Sequence, residues 1–266
     1  MLPNILQQKL NQSKMVVEEA FEQYPSERIL VAWSGGKDST LLLRLVLDIC
    51  QQNNLRPPRA LDIEENDQFP ELTAFRDQLI HSWGLEILTV RNDDVLDRVK
   101  NIGDMIQVDQ LNEANRTALR DIGYTASSLA WIPDSPVCNH LLKTLPVNTA
   151  IKQYDIAMLF TGIRWDEHGS RTGETYFSTR DNPPHTRGQP ILHMTERDIW
   201  DITFALGIPY CSLYSDGYRS LGTKSATTRP STIPAWKQDL ESTTERGGRS
   251  EEKEKMMAQL RAWGYM

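Results

Sequence analysis

The sequence has few cysteines and no long apolar run. Its three cysteines (Cys50, Cys138 and Cys211) are odd in number and widely scattered, so they indicate neither a disulfide framework nor a C-x-x-C metal site. No apolar stretch approaches the roughly 20 residues that a membrane helix needs. The first fifteen residues also lack the continuous apolar block of a signal peptide. The chain is therefore predicted to work in the reducing cytoplasm, without a membrane partner.

An excess of positive charge is also missing. The chain of 266 residues has 29 Lys and Arg against 36 Asp and Glu, which gives a formal net charge of −7. A sequence-independent grip on nucleic acid normally needs a surplus of Lys and Arg. Net charge therefore gives no indication of a nucleic-acid partner, although a local basic patch is compatible with one. The hydrophobic fraction of 39% and the charged fraction of 24% are ordinary for a globular protein.

Short apolar runs alternate with helix-like segments along the chain. An amphipathic helix is predicted over residues 1–27, and residues 28–33 have the apolar, β-branched character of a buried strand. Further strands are predicted at residues 59–63, 85–90 and 154–160, and helices at residues 41–49 and 70–83. This alternation indicates an α/β fold with a doubly wound, mostly parallel sheet. In such sheets ligands bind outside the carboxyl ends of the strands, where the loops after Trp33 and Phe160 fall.

The regular alternation fades near residue 205. Residues 210–234 are rich in Gly, Ser, Thr and Pro, and residues 244–260 are dense in charge. We therefore divide the chain into an N-terminal helix (1–27), an α/β domain (28–205) and a C-terminal extension (206–266). The extension is predicted to be rich in loops and to end in a short helix.

The loop after the first predicted strand has the composition of a pyrophosphate cradle. It consists of Ser34, Gly35, Gly36, Lys37, Asp38, Ser39 and Thr40. Glycines let the backbone approach a bulky anion, and the following helix offers free N–H groups and the positive end of its dipole. The hydroxyls and the lysine can donate to phosphate oxygens. Ordinary helix capping by Ser and Asp explains neither the two glycines nor the lysine.

The aspartate in this loop is informative. The common mononucleotide loop has four residues between its glycines and then Gly-Lys-Ser/Thr, whereas here the glycines are adjacent and Asp38 follows the lysine. An acid inside a phosphate loop would repel the ligand unless it bound a magnesium ion or capped the helix. We therefore expect Asp38 to hold or orient Mg²⁺, which prefers a carboxylate together with substrate phosphates.

The loop resembles the S-G-G-x-D-S signature of the ATP pyrophosphatase (PP-loop) enzymes, which adenylylate an acceptor and release pyrophosphate. The resemblance implies that residues 28–205 bind ATP, which is cleaved between its α- and β-phosphates. Later segments are similar, in the same order, to phosphoadenylyl-sulfate reductases and to the small subunit of bacterial sulfate adenylyltransferase. These segments are Asp62 with residues 69–71, Cys138 with residues 142–146, residues 162–171 and residues 213–222.

The resemblance implies roles for residues outside the loop. Arg164 and Arg171 would clamp the acceptor or the α-phosphate through their planar guanidinium groups, and would act in catalysis with Lys37 and Asp38. Gly162 and Asp62 would belong to the nucleotide site, with Asp62 and Glu65 contacting the ribose or supporting the metal. From the residues alone, the 164–171 loop could equally be a solvated cluster of salt bridges, and Asp62 could cap a turn.

Two features distinguish between the branches of this family. The reductases have a C-terminal Glu-Cys-Gly segment, whereas no cysteine follows Cys211 here. Residues 242–265 are similar to the tail of the sulfate adenylyltransferase small subunit, which works with a GTPase partner. We therefore expect adenylyl transfer to an anionic acceptor, sulfate first. The alternatives are a sulfur-incorporation component with a sulfur carrier (DNA phosphorothioation or RNA thiolation), adenylylation of a flavin nucleotide, and an ATP-binding regulatory module with little activity alone.

Overall fold

A six-stranded sheet forms the centre of the molecule. The computed structural model describes residues 2–133, 135–167, 169–243 and 245. The strands are β1 (Ile29–Ala32), β2 (Arg59–Glu64), β3 (Ile87–Arg91), β4 (Met105–Gln107), β5 (Ser128–Ala130), β6 (Met158–Phe160), β7 (Phe177–Asp181) and β8 (Pro184–Gly188). The main sheet has the order β3-β2-β1-β6-β8-β7, and β4 and β5 form a separate antiparallel pair. All neighbours in the main sheet are parallel except β7 and β8. The predicted mostly parallel sheet is confirmed.

Helices cover both faces of the sheet. They are α1 (Asn4–Gln23), α2 (Lys37–Gln52), α3 (Pro70–Trp83), α4 (Asp93–Leu96), α5 (Glu113–Asp121), α6 (Pro136–Asn139), α7 (Leu145–Gln153) and α8 (Glu196–Ala205). A π-helical turn, His140–Thr144, joins α6 to α7. Local chemistry fixes several ends: α3 opens on a proline and stops at Gly84, whose φ of 60° is left-handed. Helix α8 begins with a capping box between Thr195 and Asp198. No helix among the described residues has both the length and the apolar character of a membrane span.

The first 91 residues follow the predicted elements closely, whereas α4 to α7 and the β4–β5 pair were not predicted. Helix α3 has the predicted bounds, and β1, β2 and β3 lie within two residues of theirs. The strand predicted at residues 154–160 is shorter, because Tyr154 still belongs to the end of α7 and Asp155 has a φ of 50°. The β7–β8 hairpin and α8 were not predicted. Strand β7 reads Phe-Ser-Thr-Arg-Asp, which lacks an apolar alternation because it lies at the edge of the sheet.

The two faces of the sheet contact different helices. On one face, Val31 and Phe160 belong to a large cluster with α1, α2 and α8. On the other face, Leu30 and Leu159 pack with α7. A third cluster is formed between α4 and the turn after α6, around Leu141.

The segment after α8 is mostly irregular, as predicted, with 3₁₀ turns at Ser212–Tyr214, Lys224–Ala226 and Ala235–Lys237. It packs into the large cluster, and the ring of Trp200 on α8 contacts the rings of Tyr214 and Trp236 at centroid distances of 5.1 and 5.3 Å. The division into three regions stays a prediction. The short helix predicted at the end of the extension lies outside the described residues.

Candidate functional site

Two loops meet at the carboxyl edge of the sheet. Strands β1 and β6 are parallel neighbours, with Val31 opposite Phe160, so the loops that follow them leave the sheet side by side. Gly162 is at their junction. A Cβ atom added there would lie 3.1 Å from the backbone nitrogen of Ser39 and 3.2 Å from the carbonyl carbon of Asp38. The absence of a side chain at Gly162 therefore lets the second loop pack against the first.

The first loop has the conformation of an anion-binding turn. Gly35 has a left-handed φ of 78°, and a Cβ there would come within 2.7 Å of Cγ of Arg76. Gly36 is the N-cap of α2, so the N–H groups of the first helical turn, which have no acceptor within the helix, follow it directly. The hydroxyls of Ser34 and Ser39 are 3.2 Å apart and lie beside this end of the helix.

Thr40 is turned away from the loop opening. Its hydroxyl accepts a hydrogen bond from the Trp33 indole at 3.1 Å, and its side chain is buried. Of the three predicted hydroxyl donors, the structure therefore brings together Ser34 and Ser39 and places Thr40 in the core.

Lys37 is a buried cation in the first turn of α2. Its Nζ donates to Oε1 of Glu245 at 2.5 Å, to Oδ2 of Asp38 at 3.1 Å and to the carbonyl of Arg219 at 3.3 Å. Its backbone N–H donates to the hydroxyl of Tyr214 at 2.9 Å. Burial opposes the charge of Lys37, but the carboxylates of Asp38 and Glu245 outweigh it, so the pKa of the ammonium lies above its ordinary value.

Arg164 is a second buried cation, and it meets Lys37 at a shared carboxylate. Its Nη2 donates to Oε2 of Glu245 at 2.5 Å and its Nε to Oδ1 of Asp166 at 2.8 Å, while Nη1 pairs with Asp38. Burial opposes this charge too, and the carboxylates again outweigh it and raise the pKa of the guanidinium. Each oxygen of Glu245 is thus held by a different cation, at the N-terminus of a helix.

Asp38 contacts both of these cations. One carboxylate oxygen pairs with Arg164 and the other lies 3.1 Å from Nζ of Lys37. A metal ion bound directly to Asp38 would have to share this carboxylate with Lys37 and Arg164. Among the described residues, no group of three or more His, Cys, Asp or Glu is placed to hold a metal. The magnesium role of Asp38 stays a prediction, and no step below goes through it.

Sequence reasoning missed a second layer around Lys37. Glu196, at the start of α8, lies 3.8 Å from Nζ of Lys37 and forms a buried ion pair with Arg219 at 2.8 Å. Burial raises the pKa of the Glu196 carboxyl, although Lys37 opposes the shift. Arg219 also donates to the carbonyl of Thr243 at 3.0 Å, which fixes the segment leading to Glu245. The available signal was the similarity of residues 213–222 and 242–249 to family segments, which named no role for these side chains.

Two predicted site residues lie elsewhere. Asp62 forms a buried ion pair with Arg76, whose guanidinium lies over the Trp33 ring at 5.6 Å and whose stem packs under Gly35. Arg171 ends the 3₁₀ turn Gly169–Arg171, and its positive charge lowers the pKa of Arg187 on β8. Asp62 thus supports the loop from beneath, and Arg171 belongs to a separate basic group.

Two further predicted side chains and two histidines have ordinary structural contacts. Glu65 pairs with Lys143 at 3.0 Å. Cys138 is buried and burial raises the pKa of its thiol. Burial lowers the pKa of His185 and of His193, and each ring donates to a backbone carbonyl.

Comparison with known proteins gives consistent matches. The family model described as "Phosphoadenosine phosphosulfate reductase domain" matches residues 28–229. A Caenorhabditis elegans protein named "Probable FAD synthase" is 30% identical over 224 residues, which are 84% of this chain and 34% of that protein. Sulfate adenylyltransferase subunit 2 of Sulfurimonas denitrificans is 26% identical over 208 residues, which are 70% of this chain and 59% of that protein. The chain thus spans about a third of the first relative and less than two thirds of the second.

Two solved structures share the fold. Candida glabrata FMN adenylyltransferase, in complex with FMN and the ATP analogue AMPCPP, superposes with a TM-score of 0.61 at 20% identity, over 90% of this chain and 69% of that chain. Phosphoadenylyl-sulfate reductase from Candida auris superposes with a TM-score of 0.59 at 13% identity, over 86% of this chain and 98% of that chain. At these identities the likeness establishes the fold alone.

Proposed function

Because the chain belongs to the phosphoadenosine phosphosulfate reductase domain family, we propose that it transfers the adenylyl group of ATP to an oxyanion acceptor and releases pyrophosphate. One observation carries the proposal: Lys37 and Arg164, both buried, converge on the two oxygens of one carboxylate at the N-terminus of α2. The same donors suit phosphate oxygens, which are likewise paired, anionic and drawn to a helix N-terminus. The carboxylate of Glu245 then gives way to the ligand.

The reaction consists of one displacement at phosphorus. An oxygen of the acceptor attacks the α-phosphorus, and the bond from that atom to the oxygen bridging to the β-phosphorus breaks. The electron pair leaves with pyrophosphate. Both partners are anionic, so catalysis is mainly alignment and neutralisation of charge. The departing pyrophosphate is held by Lys37, Ser34, Ser39 and the N–H groups in the first turn of α2. Arg164 neutralises the charge of the α-phosphate.

The remaining predicted residues position this machinery. Asp38 orients Lys37 and Arg164, since it contacts both. Asp62 acts through Arg76, which packs beneath the turn at Gly35. A ribose contact of Asp62 stays a prediction.

For the acceptor we place flavin mononucleotide first. Three relatives named "Probable FAD synthase" match 83–84% of this chain. Sulfate is the second candidate, favoured by relatives named "Sulfate adenylyltransferase subunit 2" at 24–26% identity. A GTPase partner is proposed only with sulfate, and a sulfur carrier only if neither acceptor reacts.

An end-point assay tests the proposal. The purified chain is incubated with ATP and Mg²⁺ and either FMN or sulfate, and the products are separated by liquid chromatography. We expect FAD and pyrophosphate in equal amounts from the first mixture. Adenylyl sulfate formed instead would move sulfate to first place. ADP with orthophosphate as the only products would contradict cleavage at the α-phosphate, and tight ATP binding without turnover would favour the regulatory module.

The junction at Gly162 gives a sharper local prediction. Gly162→Ala places a methyl group 3.1 Å from the Ser39 backbone nitrogen, which must shift by a few tenths of an ångström. Because the N-terminus of α2 binds the phosphates in this proposal, we expect about a tenfold rise in the KM for ATP. Steady-state kinetics against ATP measures it. Gly173→Ala is the matched control, since a Cβ there meets no atom within 4 Å. Equal KM values for the two variants would contradict the prediction.

A further inference from the structure

The β7–β8 hairpin presents two arginines on one face. Ser178 is opposite Arg187 and Arg180 is opposite His185 in the antiparallel register. Alternate residues of a strand share a face, so these four side chains lie together and the two arginines are diagonal neighbours. Gly188 identifies the face, because a Cβ there would point at the Phe160 ring, 2.7 Å from Cδ1. The arginines are therefore on the opposite face, beside Leu159 and the α7 side of the sheet.

Arg187 is a half-buried cation whose charge is opposed by two other arginines. Its guanidinium makes no hydrogen bond and no ion pair within the part of the chain that the structure describes, and its Nε is buried without a partner. Burial and the charges of Arg180 and Arg171 lower the pKa of this guanidinium to about 10. Glu174 is the carboxylate that opposes this shift, and it accepts from the amide of Gln189 at 3.3 Å. The charge of Arg187 is thus opposed by Arg180 and Arg171 and favoured by Glu174.

The basic group adjoins the proposed adenylyl site through a single loop. The N–H of Thr161 donates to the carbonyl of Gly188 at 2.8 Å, so the end of β8 is next to the junction at Gly162. The loop that begins there first passes Arg164, which contacts Asp38. It then reaches Arg171 at the end of the 3₁₀ turn Gly169–Arg171, and the charge of Arg171 lowers the pKa of Arg187. One end of this loop therefore touches the phosphate site, and the other end lies at the basic group.

We infer that Arg171, Arg180 and Arg187 bind the anionic group of the acceptor, a tetrahedral oxyanion that is either sulfate or the phosphate monoester of a flavin nucleotide. The inference rests on the proposed function and adds an acceptor subsite to it. Planar guanidinium groups are suited to such oxyanions, since each can donate two parallel hydrogen bonds. The arginines hold the acceptor near the α-phosphorus and offset its repulsion by the triphosphate.

Arg187→Gln tests the subsite kinetically. We expect the KM for the acceptor to rise at least tenfold, while the KM for ATP stays within twofold of the original value. Arg187→Lys keeps the positive charge but lacks the planar guanidinium group that donates two parallel hydrogen bonds. We therefore expect its KM for the acceptor to lie between those of the original chain and Arg187→Gln. Arg120→Gln, on an exposed face of α5, is the matched control and should change neither constant. An unchanged acceptor KM in Arg187→Gln, with the original protein active, would overturn the inference.

Direct binding measurements separate this inference from the proposed function. Isothermal titration calorimetry with FMN, riboflavin and sulfate, in the absence of ATP, measures acceptor binding directly. If Arg187→Gln loses FMN binding, and the original chain binds riboflavin only weakly, the ligand of the subsite is the phosphate monoester. If the variant loses only sulfate binding, the ligand is sulfate. If the chain shows no turnover, tenfold weaker binding by the variant still supports the subsite, and equal binding overturns it.

Thermal unfolding excludes a merely structural role. Arg187 forms no ion pair with a carboxylate of the described residues, and the charges of Arg180 and Arg171 oppose its own, so the Tm of Arg187→Gln should equal or exceed that of the original chain. A clear fall in Tm would show that the arginine serves the fold and would overturn the inference.

Discussion

Replacing Lys37 with alanine is expected to lower kcat/KM for adenylyl transfer by about 100-fold or more, the usual scale for losing one preorganised electrostatic donor. The ammonium of Lys37 is buried, and it shares a carboxylate with Arg164 at the N-terminus of α2. In the proposed reaction this group faces the negative charge that grows on the departing pyrophosphate. Its loss therefore acts mainly on the transition state and should lower kcat. The measurement is initial-rate kinetics with ATP and the acceptor that reacts.

The fold should survive this change, because the surrounding carboxylates keep other partners. Asp38 and Glu245 remain paired with Arg164, and Glu196 remains paired with Arg219. Circular dichroism and Tm therefore serve as checks on the variant. Lys14→Ala is the matched control, since Lys14 is an exposed residue of α1. Activity within threefold of the original chain in Lys37→Ala would contradict the assigned role.

Gly217→Ala is expected to reduce the free energy of unfolding by about 3 kcal/mol, from steric overlap and backbone strain together. Gly217 has a left-handed φ of 102°, and an added Cβ would overlap the carbonyl oxygen of Ser231 and lie 2.7 Å from its carbon. Neither atom can move freely, since both belong to the backbone. Urea unfolding measures the loss. Gly207→Ala is the control: its φ is 62°, but a Cβ meets no atom within 4 Å, so only strain of about 1 kcal/mol is expected.

The same substitution should also affect the site. Gly217 lies in the turn between Tyr214 and Arg219, both of which contact Lys37 through a hydroxyl and a carbonyl. A shifted turn would misplace both contacts, so activity at a temperature where Gly217→Ala remains folded should fall more than in Gly207→Ala. Equal stability and equal activity of the two variants would contradict this account of the turn.

The sequence predicts the parts of this fold in which local signals agree. Residues 28–49 combine an apolar β-branched run, adjacent glycines and a segment without strand breakers that favours a helix. The structure shows β1, the turn and α2 in that order. Helix α3 was predicted at both ends, because Pro70 and Gly84 are strong boundary signals. The polar edge hairpin β7–β8 has no comparable signal, since its strands, Phe177–Asp181 and Pro184–Gly188, contain neither an apolar run nor an apolar alternation.

The candidate site was predicted only where its residues lie in the phosphate loop or in a segment that resembles the family. Lys37 and Asp38 were identified from the loop itself, and Arg164 from a family segment. Glu245 is 208 positions from Lys37, and its role depends on the packing of the whole C-terminal segment. Periodicity and spacing carry no information on such a contact. Thr40 was predicted from the loop but lies outside the site. Its hydroxyl could donate to a phosphate, but it is buried in the core, where it accepts a hydrogen bond from the indole of Trp33.

The carboxylate of Glu245 makes ligand binding at this site an exchange reaction. A phosphate that reaches Lys37 and Arg164 displaces an anion already held at 2.5 Å by each. The measured affinity is then the difference between two ion-pairing free energies. The carboxylate is tethered, so it competes at a fixed effective concentration however dilute the protein is. In the proposed function, thermodynamic linkage then requires that any condition that weakens the contacts of Glu245 with Lys37 and Arg164 tightens nucleotide binding, and that a bound nucleotide weakens those contacts by the same factor.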